Sequence, residues 1–169
     1  MDTLPKHFGI LIAYIIPGFI GLTGLPPFVP MVGQWLQPVD HADPGLGPPV
    51  YILIAALGVG MIVNCVRWLL IDHIHRWTGV PKAKSNFHKM GDNLDAFNYL
   101  VQNHYVFYQF YAGALVALAW SYSIWRFAET SRFLGPGTDL GTLILCAVLF
   151  IGSRDALMKY RSRLGQLLD

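Results

Sequence analysis

Residues 50–71 read VYILIAALGVGMIVNCVRWLLI, and among them only Asn64 and Arg67 are strongly polar. A helix needs roughly 20 mostly apolar residues to cross some 30 Å of hydrocarbon, so this stretch predicts a membrane span. Three further segments share its character, at approximately 8–28, 105–125 and 134–152. The last is centred on LGTLILCAVLFIG, Leu140 to Gly152.

Composition agrees. Of the 169 residues 54% are hydrophobic and 13% are charged, against roughly 25% charged in a soluble domain. The sequence therefore predicts an all-α, polytopic integral membrane protein: one domain over 1–169 with four transmembrane helices in a bundle. Residues 72–104 form a cytoplasmic connection and residues 153–169 a basic amphipathic tail. The N-terminal segment lacks a small-residue cleavage site and reads as a retained first span.

Orientation follows from the Lys and Arg of the short connections. The segment between the second and third spans carries Arg67, Arg76, Lys82, Lys84 and Lys89, and the tail carries Arg154, Lys159, Arg161 and Arg163. The connection VGQWLQPVDHADPGLGPP has neither Lys nor Arg, and RFAETSRFLGPGTD has two arginines. Both termini are expected in the cytoplasm, the membrane being the cytoplasmic one if the source is bacterial. Trp35, Trp68, Trp77 and Trp125 fall near span ends, as an aromatic belt requires.

The first span contains AYIIPGFIGLTGLPPFVP, Ala13 to Pro30, with four prolines and no charge. Pro17 inside a helix removes an amide donor and frees the carbonyl of Ala13, so a kink is expected there. Asn64 and Gln109 are the candidate intramembrane donors to that carbonyl. The prolines of LPPFVP stop the helix.

Helices in lipid approach through small residues. Gly9, Ala13, Pro17 and Gly21 recur at four-residue spacing on the first span, Ala56, Gly60 and Asn64 on the second, and Gly113 and Ala117 on the third. The third helix is expected to begin at Asp92 or Asn93, where DNLD offers a side-chain cap. From it a polar stripe, Asn98, Gln102, Tyr105 and Gln109, descends toward the membrane, with His104, Tyr108 and Tyr111 on an aromatic flank. Gln109 separates two readings of that stripe, because an amide inside hydrocarbon must find a partner or water.

Ionisable groups are densest in RWLLIDHIHRW, Arg67 to Trp77, followed by His88 and Asp92. Asp72, His75 and Arg76 share a helix face, and Asp72 with Arg76 forms an i,i+4 pair. Asp72, His75, Arg76, His88 and Asp92 are the candidate catalytic residues, should the chain be an enzyme. No metal site or cofactor is expected: HExxH, GxSxG, P-loop and GxGxxG motifs are absent, and Cys65 and Cys146 match no zinc spacing. A formal net charge of +2 does not argue for nucleic acid.

The expected partners are the lipid bilayer and either further copies of the chain or a membrane complex. The leading functional reading is assembly, as a pore, a bilayer-perturbing effector or a membrane subunit. The alternatives are an enzyme acting on lipid or isoprenoid substrates at the cytoplasmic face, and a small-solute transporter using the Pro17 break and Gln109. For the topology, single cysteines placed at Asp43 and Thr138 in a cysteine-free background should label from outside the cell with an impermeant maleimide. A cysteine at Ser85 should not, and strong outside labelling there would invert the orientation.

Overall fold

The structure, a computed structural model, describes residues 9, 11–37, 47–80, 91, 93–128 and 135–168. Among them the secondary structure is entirely helical. Helix α1, Leu11–Leu22, opens with a π turn over Leu11–Ile15 and continues as an α-helix over Ile16–Leu22. A short α2 covers Pro30–Trp35 and α3 covers Gly47–Trp77. Helix α4 is built from Leu94–Leu100, a π turn over Val101–Tyr105, and Val106–Phe127. Helix α5 covers Pro136–Leu168.

Two of these helices, over Pro49–Trp77 and Pro136–Leu168, are long and apolar enough to cross a membrane. The other two expected spans differ in kind. Helix α1 is short, because Thr23 caps it and a turn through Pro26 and Pro27 follows. Val106–Phe127 has the length but interleaves Tyr, Gln, Ser and Trp with its apolar residues. The element boundaries also move. Helix α3 runs past Ile71 to Trp77, and the segments read as a fourth span and a tail are one 33-residue helix, α5. Hydropathy marks where a helix leaves an apolar phase, which is not where its hydrogen-bond ladder ends.

Pro17 behaves as its chemistry demands. It sits at the start of the α-helical part of α1, just after the π turn, which re-registers the ladder where the proline lacks an amide donor. The ladder thus changes from π to α register ahead of the proline, within one continuous helix over Leu11–Leu22. The expected donors act elsewhere. Asn64 donates to the Tyr14 hydroxyl at 3.3 Å, and Gln109 forms no hydrogen bond with a described residue. Asn93 is the N-cap residue of α4 but its side chain makes no capping hydrogen bond, and Asp92 lies outside the described residues.

Helix α1 is wedged between α3 and α4, and glycine makes the wedge possible. A Cβ on Gly18 would overlap the Ala56 carbonyl of α3 and lie 2.7 Å from the Gly60 nitrogen. A Cβ on Gly60 would overlap the Tyr14 carbonyl of α1. Gly9 and Pro17 face α4, a Cβ on Gly113 standing 3.3 Å from Pro17 Cγ and one on Gly9 3.3 Å from Val106, whereas a Cβ on Gly21 would first meet Val59 of α3, at 2.8 Å. Side-chain bonds lock the same seam, Ser121 Oγ donating to Ile20 O at 2.7 Å and Trp125 Nε1 to Thr23 O at 2.6 Å.

Helix α5 packs along α4. Its C-terminal half buries Ser153, Ala156, Leu157, Leu164 and Leu168, and the Tyr160 ring lies tilted against Tyr105 with centroids 5.1 Å apart. The amphipathic stripe of the tail thus docks on protein. Its cations do likewise: Arg154 donates to Thr78 O at 2.6 Å, Arg161 to Val80 O at 3.2 Å, and Arg163 to His104 Nε2 at 2.6 Å. Burial first, then the charges of Arg163 and Lys159, hold the His104 imidazole below its ordinary pKa, consistent with a neutral ring accepting from Arg163. At the opposite end of the α4–α5 pair Tyr122 donates to Asp139, and Arg126 lies 3.5 Å from the same carboxylate.

The glycine contacts set a test. Gly18→Ala and Gly60→Ala force backbone apart and should each cost about 1–3 kcal/mol or more. Gly58→Ala, on the same helix with open space around it, should be neutral or slightly stabilising. Thermal unfolding in detergent measures all three, and equal behaviour of Gly58 and Gly60 would contradict the packing.

Candidate functional site: a buried Arg–Asp–Tyr network

The polar groups inside the bundle converge on Arg67. Its guanidinium belongs to α3 and has a side-chain exposure of 3%. From there NH1 donates to Asp72 Oδ1 at 3.0 Å, and Nε donates to Asn64 Oδ1 at 2.7 Å. The guanidinium also lies over the Tyr108 ring of α4, with Cζ 5.0 Å from the centroid. Tyr108, 1% exposed, donates its hydroxyl to Asp72 Oδ1. With Tyr14 receiving the Asn64 amide, one connected set of side chains ties α1, α3 and α4 together.

Several expectations are corrected by this arrangement. Arg67 is not a charge of the cytoplasmic connection; it is a buried member of α3. The Asp72 carboxylate pairs with Arg67 and not with Arg76, whose Nε reaches only the Asp72 backbone carbonyl, at 3.4 Å. Arg76 is exposed, and His75 is fully buried on a different face. Tyr108 is the largest fully buried side chain and no flank residue. Tyr108 is buried against Ile71 of α3 and Ala156 and Leu157 of α5, while the π turn over Val101–Tyr105 rotates Val106–Phe127 relative to Leu94–Leu100 and breaks a stripe projected at a constant 3.6 residues per turn.

His75 joins α3 to α5. Its Nε2 lies 2.9 Å from Ser153 Oγ, and Ser153 donates its own proton to Phe150 O at 2.8 Å. The imidazole must therefore be the donor in this pair, leaving Nδ1 as a buried acceptor without a protein partner. Its ring packs 5.1 Å from Phe150 and 6.1 Å from Tyr108. Proximity of serine and histidine invites comparison with a nucleophile and its base. The chemistry does not support it: the hydroxyl proton points to a carbonyl, no carboxylate orients Nδ1, and both residues are shut from solvent.

Of the five candidate catalytic residues, Asp72, His75 and Arg76 diverge, and His88 and Asp92 lie outside the described residues. Among the described residues no three His, Cys, Asp or Glu side chains are placed to share a metal ion. Asn64 is an interhelical tie, as its position in the apolar run suggested. Gln109 lines an open cleft of about 410 Å³ with Asn64, Arg67, Trp68 and Tyr105. Sequence reasoning missed Tyr108 and Ser153 as partners. An arginine inside an apolar run was the available signal, since such a charge requires a buried partner.

Comparison with protein-family models, with curated proteins and with solved structures finds no match. The site must therefore be read from its own chemistry. Every strong charge in it is already answered: Asp72 accepts from Arg67 and Tyr108, and Arg67 is held by Asp72, Asn64 and a ring face. Removing one member leaves an uncompensated buried charge, which costs about 3–5 kcal/mol. Arg67→Met should destabilise by that amount, and Asp72→Asn added to it should recover most of the loss. Arg76→Ala should stay within about 0.5 kcal/mol of the parent. Chemical or thermal unfolding measures the series; equal losses for Arg67→Met and Arg76→Ala would contradict the network.

Proposed function

We propose that this chain is a four-span integral membrane protein, with both termini in the cytoplasm, that works by assembly rather than by catalysis. One contrast carries the reading: inside the bundle the charges are spent on one another, while outside it the long helices present open apolar surface. Only 17% of the apolar window of α3 and of α5 is buried. Ile54, Met61, Ile62 and Leu69 stand out from α3, and Leu143, Ile144, Val148 and Ile151 from α5. A water-soluble monomer rarely carries apolar surface on this scale.

The bilayer covers part of that surface and a protein neighbour the rest. The neighbour is a further copy of the chain or another membrane subunit, and the assembly forms a pore, perturbs the bilayer or completes a larger system. The enzyme reading needs a polar group offered to a substrate, and Asp72, Arg67 and His75 are engaged internally. The transporter reading needs a water-filled break at Pro17, where Gly113 instead packs against the proline ring.

Native mass spectrometry of protein released from lipid nanodiscs, across a dilution series, tests the proposal. A fixed homo-oligomer or a stoichiometric membrane partner is the expected result. A monomer at every concentration, with no partner, would contradict assembly.

A further inference from the structure

The cleft between α3 and α4 contains groups that the buried network does not use. Asn64 is spent, its amide on Tyr14 and its carbonyl on Arg67, and the Arg67 charge is matched by Asp72. Gln109 and Tyr105 line the same cleft, and neither side chain hydrogen bonds to a described residue. Trp68, Leu69 and Cys65 supply its apolar walls, and Trp68 and Leu69 are each 55% exposed. The cleft is thus open to its surroundings, has no unmatched charge, and presents unused donors beside apolar surface.

Its depth narrows the ligand. Gln109 lies one helical turn, about 6 Å, inside the end of the predicted third span. Water there is scarce, and an unpartnered amide costs free energy until something bonds to it. A phosphate is a poor match, because the nearest cation is neutralised and the level lies below the headgroups. A neutral acceptor at ester depth matches both the donors and the charge.

We propose that this cleft holds one diacyl lipid of the cytoplasmic leaflet, gripped at its glycerol ester carbonyls by the Gln109 amide and the Tyr105 hydroxyl. One acyl chain lies along Trp68 and Leu69. Recognition is of the ester linkage, and the headgroup contributes little. The inference rests on the membrane residence proposed above and concerns a different surface from the network around Arg67.

Native mass spectrometry of the delipidated full chain in detergent, titrated with lipids of one headgroup, provides the test. Each ester-linked lipid is compared with its ether-linked counterpart, which keeps the chains and loses the carbonyls. The ester form should be retained more strongly by on the order of fivefold, the value of one hydrogen bond of typical strength. Gln109→Leu and, independently, Tyr105→Phe should each shrink that preference, so the test survives if one variant folds poorly. Equal retention of ester and ether lipids would overturn the proposal, as would a preference that follows headgroup charge. Displacement of diacyl lipid by a quinone at equal concentration would also overturn it, by assigning the carbonyl ligand to another class. A protein that stays monodisperse in buffer without detergent would contradict membrane residence itself; a detergent-dependent protein with no ester preference would contradict only the cleft.

Discussion

The backbones of α1 and α3 touch at Gly18 and Gly60 with no side chain between them, and the remaining architecture depends on that contact. Association of helices in lipid gains little from the hydrophobic effect, so close packing and hydrogen bonds must supply it. A short helix interrupted by proline is a weak element alone. Set against α3 through glycine and against α4 through Pro17 and Gly113, it becomes the centre of the bundle. The same approach brings the Tyr14 hydroxyl to Asn64 and thereby to Arg67.

The buried network is then a consequence of the packing as much as a cause of it. An arginine on an apolar helix is tolerated only where its charge is matched and its donors are engaged. Here Asp72, one and a half turns further on, provides the match, and Tyr108 from α4 covers the guanidinium and satisfies the same carboxylate. Replacing these groups by apolar residues of similar shape would cost little in principle. Their value lies in fixing the rotation of α4 about its own axis, because only one orientation places the Tyr108 hydroxyl on Asp72.

Much of this was legible in the sequence, and the misses have physical causes. The small-residue contacts and the interhelical role of Asn64 follow from residue type and spacing alone. The expected span limits differ from the helix ends because hydropathy reports the apolar part of a helix, whereas α3 and α5 continue beyond it through residues such as His75 and Arg154. The Asp72–Arg76 pair follows from helical spacing, yet Asp72 turned to Arg67, five residues away, because the buried Arg67 guanidinium, 3% exposed, has to be matched while Arg76 is exposed to solvent. Tyr108 is buried by Ile71, Ala156 and Leu157 from two other helices, neighbours that spacing within α4 does not announce. His75 and Ser153 are 78 positions apart, and one sequence without a fold cannot bring them together.

The central claim is that the open apolar faces of α3 and α5 lie in a membrane around a dry core. Nitroxide scanning of residues 53–63 and 143–151 in lipid nanodiscs addresses it directly, by comparing accessibility to oxygen, which concentrates in lipid, with accessibility to a polar nickel chelate. The account requires oxygen maxima and chelate minima at Ile54, Met61, Leu143 and Ile151, with both reagents excluded near Ala56 and Val63. Chelate access at the exposed positions equal to that of a free label in water would contradict it.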